Sequence, residues 1–312
     1  MFRTMRLLVL TLALAGGWYV HAAPADQSGA VASDYISSDA CAECHTGHAL
    51  QINHHRHGQE ADPDTPFAAQ GCETCHGAGE MHVVNILEDD TTMGDMVIFG
   101  GARPSTVERQ NEMCTGCHQG GAFMHWTAST HESEDLACAS CHTVHKPDQV
   151  LERDTQADIC YTCHQEIRAL TFRASTHPIR DGKVICTDCH NPHGGTGDSD
   201  LKQLTVNENC YSCHAEKRGP FLWEHFPASE DCTLCHNVHG SVHAALLNRQ
   251  GPQLCQQCHG RIAGRGSTHT RILLDNIDPD PARGRFIVGE NCLNCHTQVH
   301  GSNHPSGPNL LR

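Results

Sequence analysis

The sequence predicts a mostly irregular chain with short α-helices, little or no β-sheet, and an elongated, repetitive course. Three observations carry that expectation: all 20 cysteines of the 312 residues fall in C-x-x-C pairs, the pairs recur at short intervals, and aromatic residues make up only 5%. So few aromatic side chains make a thin core for a chain of this length. No stretch sustains the alternation of a half-buried strand.

The pairs identify the unit. No cysteine is left over, and the residue after each second cysteine is His in all ten cases. At the overall histidine frequency, chance gives that run less than roughly one time in a billion. The unit is therefore C-x-x-C-H, the signature for covalent attachment of a c-type haem. Structural zinc collects four protein ligands from paired half-sites and needs no His after each second Cys. Disulfides closed inside ten C-x-x-C loops would be redox-labile. The fold class is a multihaem cytochrome c, an array of ten haem c groups, each with its iron. Their thioether cysteines are Cys41 and Cys44, Cys72 and Cys75, Cys114 and Cys117, Cys138 and Cys141, Cys160 and Cys163, Cys186 and Cys189, Cys210 and Cys213, Cys232 and Cys235, Cys255 and Cys258, and Cys292 and Cys295. Residues i, i+3 and i+4 share a helix face, so one helical turn presents two thiols and an imidazole together. Short helices are expected over residues 158–170 and 209–217, and Gly/Pro/Asp-rich loops over 99–104 and 278–281.

The proximal iron ligands are the motif histidines His45, His76, His118, His142, His164, His190, His214, His236, His259 and His296. Excluding these and His21, 16 of the 27 histidines remain for ten distal positions. Their placement is modular. Each even-numbered motif has one His upstream and another shortly downstream: His57 and His82, His131 and His145, His177 and His193, His225 and His239, His269 and His300. Residues 41–312 therefore read as a decahaem cytochrome domain of five two-haem modules. His48, His54, His55, His125, His243 and His304 are surplus, with His54 or His55 competing with His57, and His304 with His300. Methionine is the usual alternative ligand, but all seven lie at or before position 124, out of reach in sequence of the last three modules.

Chain geometry constrains connectivity. His145, His193 and His239 each follow a motif histidine by three residues, too short a tether to pass around the macrocycle to its opposite face. They are expected to serve a haem other than the one anchored beside them. His131, His177 and His225 have longer tethers and are assigned to the even haem of their own module.

Residues 1–23 read as a secretory signal peptide: Arg3 and Arg6, an apolar stretch, then small residues at Ala22, Ala23 and Ala25. A flexible segment over 24–40 follows. No later run approaches the length of a membrane span, so the mature chain is not expected to cross a bilayer by itself. The net charge of -15 becomes about -17 without Arg3 and Arg6, which excludes a phosphate backbone as partner.

The linker residues carry a resemblance that the haem motifs alone would not. CASCHTVH (138–145), CYSCHAEKRGP (210–220), LWEH (222–225), PQLCQQCH (252–259) and CLNCHTQVHGSNHPSG (292–307) resemble the MtrA/DmsE-type periplasmic decahaem cytochromes. The resemblance runs from about Cys41 to the C-terminus. It implies an electron carrier rather than an enzyme: a periplasmic wire of bis-His haems, sheathed at the outer membrane by a β-barrel porin. Implied partners are an outer-surface multihaem cytochrome or terminal oxidoreductase, and periplasmic or inner-membrane electron-carrier cytochromes. A chain without a span needs some such passage to move charge across hydrocarbon. The competing readings are a multihaem reductase, which needs an iron with an exchangeable site, and a free periplasmic shuttle with no porin.

Overall fold

The computed structural model describes residues 35–88, 92, 94–259 and 291–311. The expected leader over 1–23, residues 24–34 and His269 lie outside the described residues.

Odd and even motifs are built differently. Every odd motif is entered from an α-helix containing its first cysteine: α1 (Ser38–Cys44), α2 (Val107–Thr115), α3 (Gln156–Tyr161), α4 (Val206–Tyr211) and α5 (Gln253–His259). Every even motif instead starts in a single α- or 3-10 turn, at Glu73–His76, Cys138–Ser140, Cys186–Cys189, Cys232–Leu234 and Cys292–Asn294. Side-chain caps start two of the helices, with Thr106 Oγ1 accepting from the Arg109 amide at 3.4 Å and Thr205 Oγ1 from the Glu208 amide at 3.2 Å. The longest described helix, α2, has nine residues. Helices under about 12–15 residues are marginal in isolation, so neighbours must hold these in place. Among the described residues no helix is long and apolar enough to cross a membrane.

The sparse helical architecture without a sheet is as expected. β-type pairing among the described residues is confined to isolated bridges. The two expected helices, however, are broken. Residues 158–170 divide between α3 and a second helix, Gln165–Thr171, while 209–217 divides between α4 and a 3-10 turn, Ala215–Lys217. The break falls at the motif histidine in both cases. His164 (φ -85°, ψ 60°) and His214 (φ -101°, ψ 49°) leave helical dihedrals after closing the motif turn, and the chain bends there.

An amide lock joins the two halves of several modules. Three residues before the first cysteine of an odd motif, a polar side chain accepts from the backbone N–H of the next even motif's first cysteine. Ser38 Oγ accepts from Cys72 N at 3.1 Å, Asn111 Oδ1 from Cys138 N at 2.8 Å, and Asn207 Oδ1 from Cys232 N at 2.8 Å. In the third module Ala157 occupies that position, and Gln156 Oε1 accepts instead from Thr187 N at 3.1 Å. Asn207 is buried and its amide also donates to the Ser229 carbonyl at 3.1 Å. Asn207→Ala removes both hydrogen bonds and is expected to lower the stability of the haem-loaded protein by about 1–3 kcal/mol. Denaturant midpoints of the two proteins check this; equal midpoints would refute the lock.

Two single bridges tie consecutive modules together. Ser175 and Ser241 exchange backbone hydrogen bonds at 2.9 and 2.8 Å, as do Trp223 and Ser302. The glycine after the downstream histidine permits this approach. At Gly240 (φ +147°) a Cβ would collide with the Leu170 carbonyl, and at Gly301 (φ +133°) with the Phe221 ring.

Candidate haem-binding sites

Each motif closes the turn its chemistry requires. In nine motifs the His N–H donates to the carbonyl of the first cysteine at 2.8–3.1 Å, and the remaining one, ending at His259, lies wholly in α5. Two thiols and one imidazole are thereby gathered on one side of a turn.

Consecutive motifs approach one another through their cysteines, in alternation. Within a module the first cysteines meet, Cys41 with Cys72, Cys114 with Cys138, Cys160 with Cys186, Cys210 with Cys232, and Cys255 with Cys292. Between modules the second cysteines are neighbours, Cys75 with Cys117, Cys141 with Cys163, Cys189 with Cys213, and Cys235 with Cys258. Cysteines of successive motifs therefore lie within electrostatic reach of one another from the first motif to the tenth. Burial pushes the Cys41 and Cys255 thiols up to about 11 and raises Cys75, Cys141, Cys189 and Cys235 as well.

Nine motif histidines face a second histidine. The even motifs pair with the downstream histidine of the next module: His76 with His145 at 6.0 Å between ring centres, His142 with His193 at 6.0 Å, His190 with His239 at 6.2 Å, and His236 with His300 at 6.2 Å. Four odd motifs pair with the upstream histidine of the preceding even motif's flank: His118 with His57 at 5.9 Å, His164 with His131 at 6.2 Å, His214 with His177 at 6.4 Å, and His259 with His225 at 6.2 Å. At the first motif His45 faces His82 at 6.3 Å. The spacing suits two ligands of one metal. Two metal–imidazole bonds of about 2 Å and a ring radius of about 1.1 Å on either side put trans imidazoles about 6.2 Å apart, centre to centre. The residues present therefore fit an iron held between two histidines.

Placing His131, His177 and His225 against His164, His214 and His259 corrects their assignment to the even haem of their own module. Each has its Nδ1 hydrogen-bonded to a carbonyl just before the next module's downstream histidine: Pro192 at 2.8 Å, Val238 at 3.1 Å and Val299 at 2.8 Å. That bond turns the ring forward along the chain, an orientation that tether length alone does not reveal.

The surplus histidines have other surroundings. His55 Nδ1 accepts from the His57 amide at 3.2 Å in a local turn, leaving His57 to face His118. His304 Nδ1 accepts from Ser306 N at 3.2 Å, leaving His300 to face His236. His48 lies 6.2 Å from His45 but 4.7 Å from His145, at the junction of the first two motifs. His48 has the same three-residue tether to its motif histidine that disfavours His145, so His82 is the better partner for His45. His82 Nδ1 is buried without a hydrogen-bond partner.

Burial, reinforced by neighbouring imidazoles, pulls His145 and His193 down to about 4 and lowers His57, His76, His239 and His300 in the same direction. Neutral imidazole is the form that binds a metal. The missed signals are the orienting groups. His76, His190, His236 and His296 bond through Nδ1 to the carbonyls of Val97, Ser199, Ala245 and Asn309 at 2.6–2.9 Å. Left-handed pairs at Ser199–Asp200 and Ala245–Leu246, with φ between 54° and 58°, aim two of these carbonyls. Such strain persists only where surrounding contacts compensate for it, and no residue pattern announced it.

The sequence matches known families and proteins. The family model for the doubled CXXCH motif matches residues 177–219 and 225–264, and the model for cytochrome c-type protein NrfB-like matches 72–153. A multihaem cytochrome MtrA from Shewanella baltica is 40% identical over 279 residues, covering 88% of this chain and 81% of that protein. Cytochrome c-type protein NrfB from Haemophilus influenzae is 31% identical over 119 residues, 35% of this chain and 51% of that one. The C-type polyheme cytochrome OmcB of Geobacter sulfurreducens is 23% identical across 84% of this chain but only 36% of its own length.

Proposed function

The chain belongs to the multihaem c-type cytochromes, the family that includes MtrA, and is an electron-transfer protein; we propose that it is a ten-haem wire that carries electrons across the outer membrane inside a β-barrel porin. The observation that supports this reading is the series of nine paired histidines at bis-imidazole spacing, with the cysteines of successive motifs drawn close along it. The haem groups supply one-electron exchange between ferrous and ferric iron. The protein's part is to hold each iron by two neutral imidazoles and to fix every motif against the next. His269 is assigned as a further distal ligand, completing ten with the nine that face motif histidines. Two histidines on each iron would suit a carrier, because an iron that keeps both ligands as its charge changes would need little rearrangement of the protein around it.

The proposed location is the periplasm, with the barrel as sheath. Periplasmic or inner-membrane cytochromes would exchange electrons at one end, and an outer-surface multihaem cytochrome or terminal oxidoreductase at the other. The acidity of the chain, with a net charge of -15, favours cationic faces on such partners.

The test has two arms. Denaturing mass spectrometry of the mature protein should show ten attached haems. Liposomes carrying the protein and the barrel together should oxidise an external reductant at the expense of an acceptor trapped inside, while liposomes with either component alone should not. Eight haems or fewer refutes the ten-haem reading. Ten haems with no transfer across the bilayer refutes the conduit and leaves a free shuttle. Rapid stoichiometric binding of nitrite or cyanide to the oxidised protein would point instead to a reductase.

A further inference from the structure

Among the described residues, eight histidines in facing pairs or motifs bond through Nδ1 to an acceptor, and seven of these acceptors are backbone carbonyls; His214 Nδ1 also lies 3.7 Å from Glu216 Oε1, beyond hydrogen-bond distance and with both side chains exposed. The exception among the eight is His142. Its Nδ1 lies 2.7 Å from Oδ2 of Asp148. With Nε2 directed at a metal, Nδ1 carries the proton and donates to the carboxylate. Asp148 is 9% exposed, and its second oxygen accepts from the Thr143 amide at 3.3 Å. Its backbone carbonyl accepts from Leu151 N at 3.0 Å, fixing the turn that carries it. The equivalent job in the third and fourth modules falls to the Ser199 and Ala245 carbonyls, nine residues beyond their motif histidines. Asp148 is only six residues beyond His142, and in this shorter loop the side chain reaches where a carbonyl does elsewhere.

A carboxylate differs from a carbonyl in what it does to the ligand. It accepts the Nδ1 proton more strongly, gives the imidazole more anionic character and makes it a better donor to a metal. It also sets a negative charge beside the site. Both effects favour ferric over ferrous iron, and hydrogen bonding and charge are among the levers by which a protein sets a haem's potential. We infer that Asp148 is a positioning residue that lowers the reduction potential of the haem on Cys138 and Cys141, setting it apart from neighbours whose histidines bond to carbonyls. The inference rests on the reading of His142 and His193 as the two ligands of that haem. A low-potential member within a row makes a local step that electrons must cross, so Asp148 would regulate the rate of passage without touching either end.

The experiment compares fully matured wild-type protein with Asp148→Asn and Asp148→Glu by optical redox titration, with haem number from mass spectrometry and spin state from EPR. In D148N one component of the titration moves to higher potential by more than any other. In D148E, which keeps the carboxylate, it moves less. A D148N titration that superimposes on wild type, or equal shifts in the two variants, overturns the proposal. If D148N matures with a haem missing, Asp148→Ser, smaller and uncharged, takes its place under the same criteria. Wild-type protein with high-spin iron or fewer than ten haems would instead refute the ligand reading on which the inference stands.

Discussion

Made without covalent haem attachment, this chain should give a far-ultraviolet spectrum dominated by unordered backbone and no cooperative thermal transition. The same chain with its haems should melt cooperatively. The reason lies in what the polypeptide can bury alone. Among the described residues the buried apolar side chains are Ile52, Val97, Ala137, Ala157, Tyr161 and Ile185, and two of these are alanines. Large apolar side chains such as Leu50, Leu87, Leu204 and Phe226 are 69–80% exposed. The described helices have nine residues or fewer, below the length at which helix propensity can sustain them. Removing apolar surface from water is the main favourable term in folding, and here the protein supplies little of it to itself. Ten porphyrins would supply it, making folding and cofactor attachment one process, as in metal-dependent domains. Circular dichroism and calorimetry on chain from cells lacking the attachment machinery decide the matter. A cooperative transition in the haem-free chain would show that the protein core is sufficient.

The cofactor class was legible because C-x-x-C-H is a chemical requirement written in adjacent residues, and a single turn satisfies it. The sparse helices and missing sheet were legible for a related reason: motifs so closely spaced leave no room for longer elements. Placement of the second histidines was only half legible. A three-residue tether argues against the neighbouring macrocycle face for His145, His193 and His239, and their rings face His76, His142 and His190. Nothing in sequence spacing says that His131 turns toward His164 rather than His142. That choice is made by the Pro192 carbonyl, 61 residues away, and by long-range bridges such as Ser175 with Ser241. Serine there has no chemistry to announce it. The amide locks were closer to the surface: a polar residue sits three positions before Cys41, Cys114 and Cys210, in Ser38, Asn111 and Asn207, and that recurrence is visible to a search that aligns the odd motifs with one another.

Replacing His193 by Ala should disturb the haem on Cys138 and Cys141 and spare the one on Cys186 and Cys189, although His193 follows Cys189 by only four residues. Three residues of chain reach at most about 10 Å, too little to carry an imidazole from beside His190 around a macrocycle to the far face. The structure places the His193 ring 6.0 Å from His142, with the two planes 16° apart. The loop around it is committed to the preceding module. The Pro192 carbonyl accepts from His131, Asn191 donates to the Ala122 carbonyl at 3.0 Å, and Gly194 (φ +105°) packs where a Cβ would strike the His125 carbonyl. His193→Ala should therefore convert one haem of the row to a high-spin form that binds cyanide, with the remainder low-spin. Adding Cys138→Ser and Cys141→Ser to that variant should abolish the high-spin signal, whereas adding Cys186→Ser and Cys189→Ser should leave it. The reverse pattern would place His193 on its own module's haem and undo the cross-linked arrangement. His193→Met gives an independent reading, since a thioether ligand raises the potential of the haem it binds, and only the component lost with Cys138 and Cys141 should rise. If His193 ligates across the junction, each module would be clamped by the next. A ligand supplied in this way would tie the distance between successive irons to the coordination bond itself, so relative motion of the modules would be resisted by the same bonds that would keep the irons low-spin.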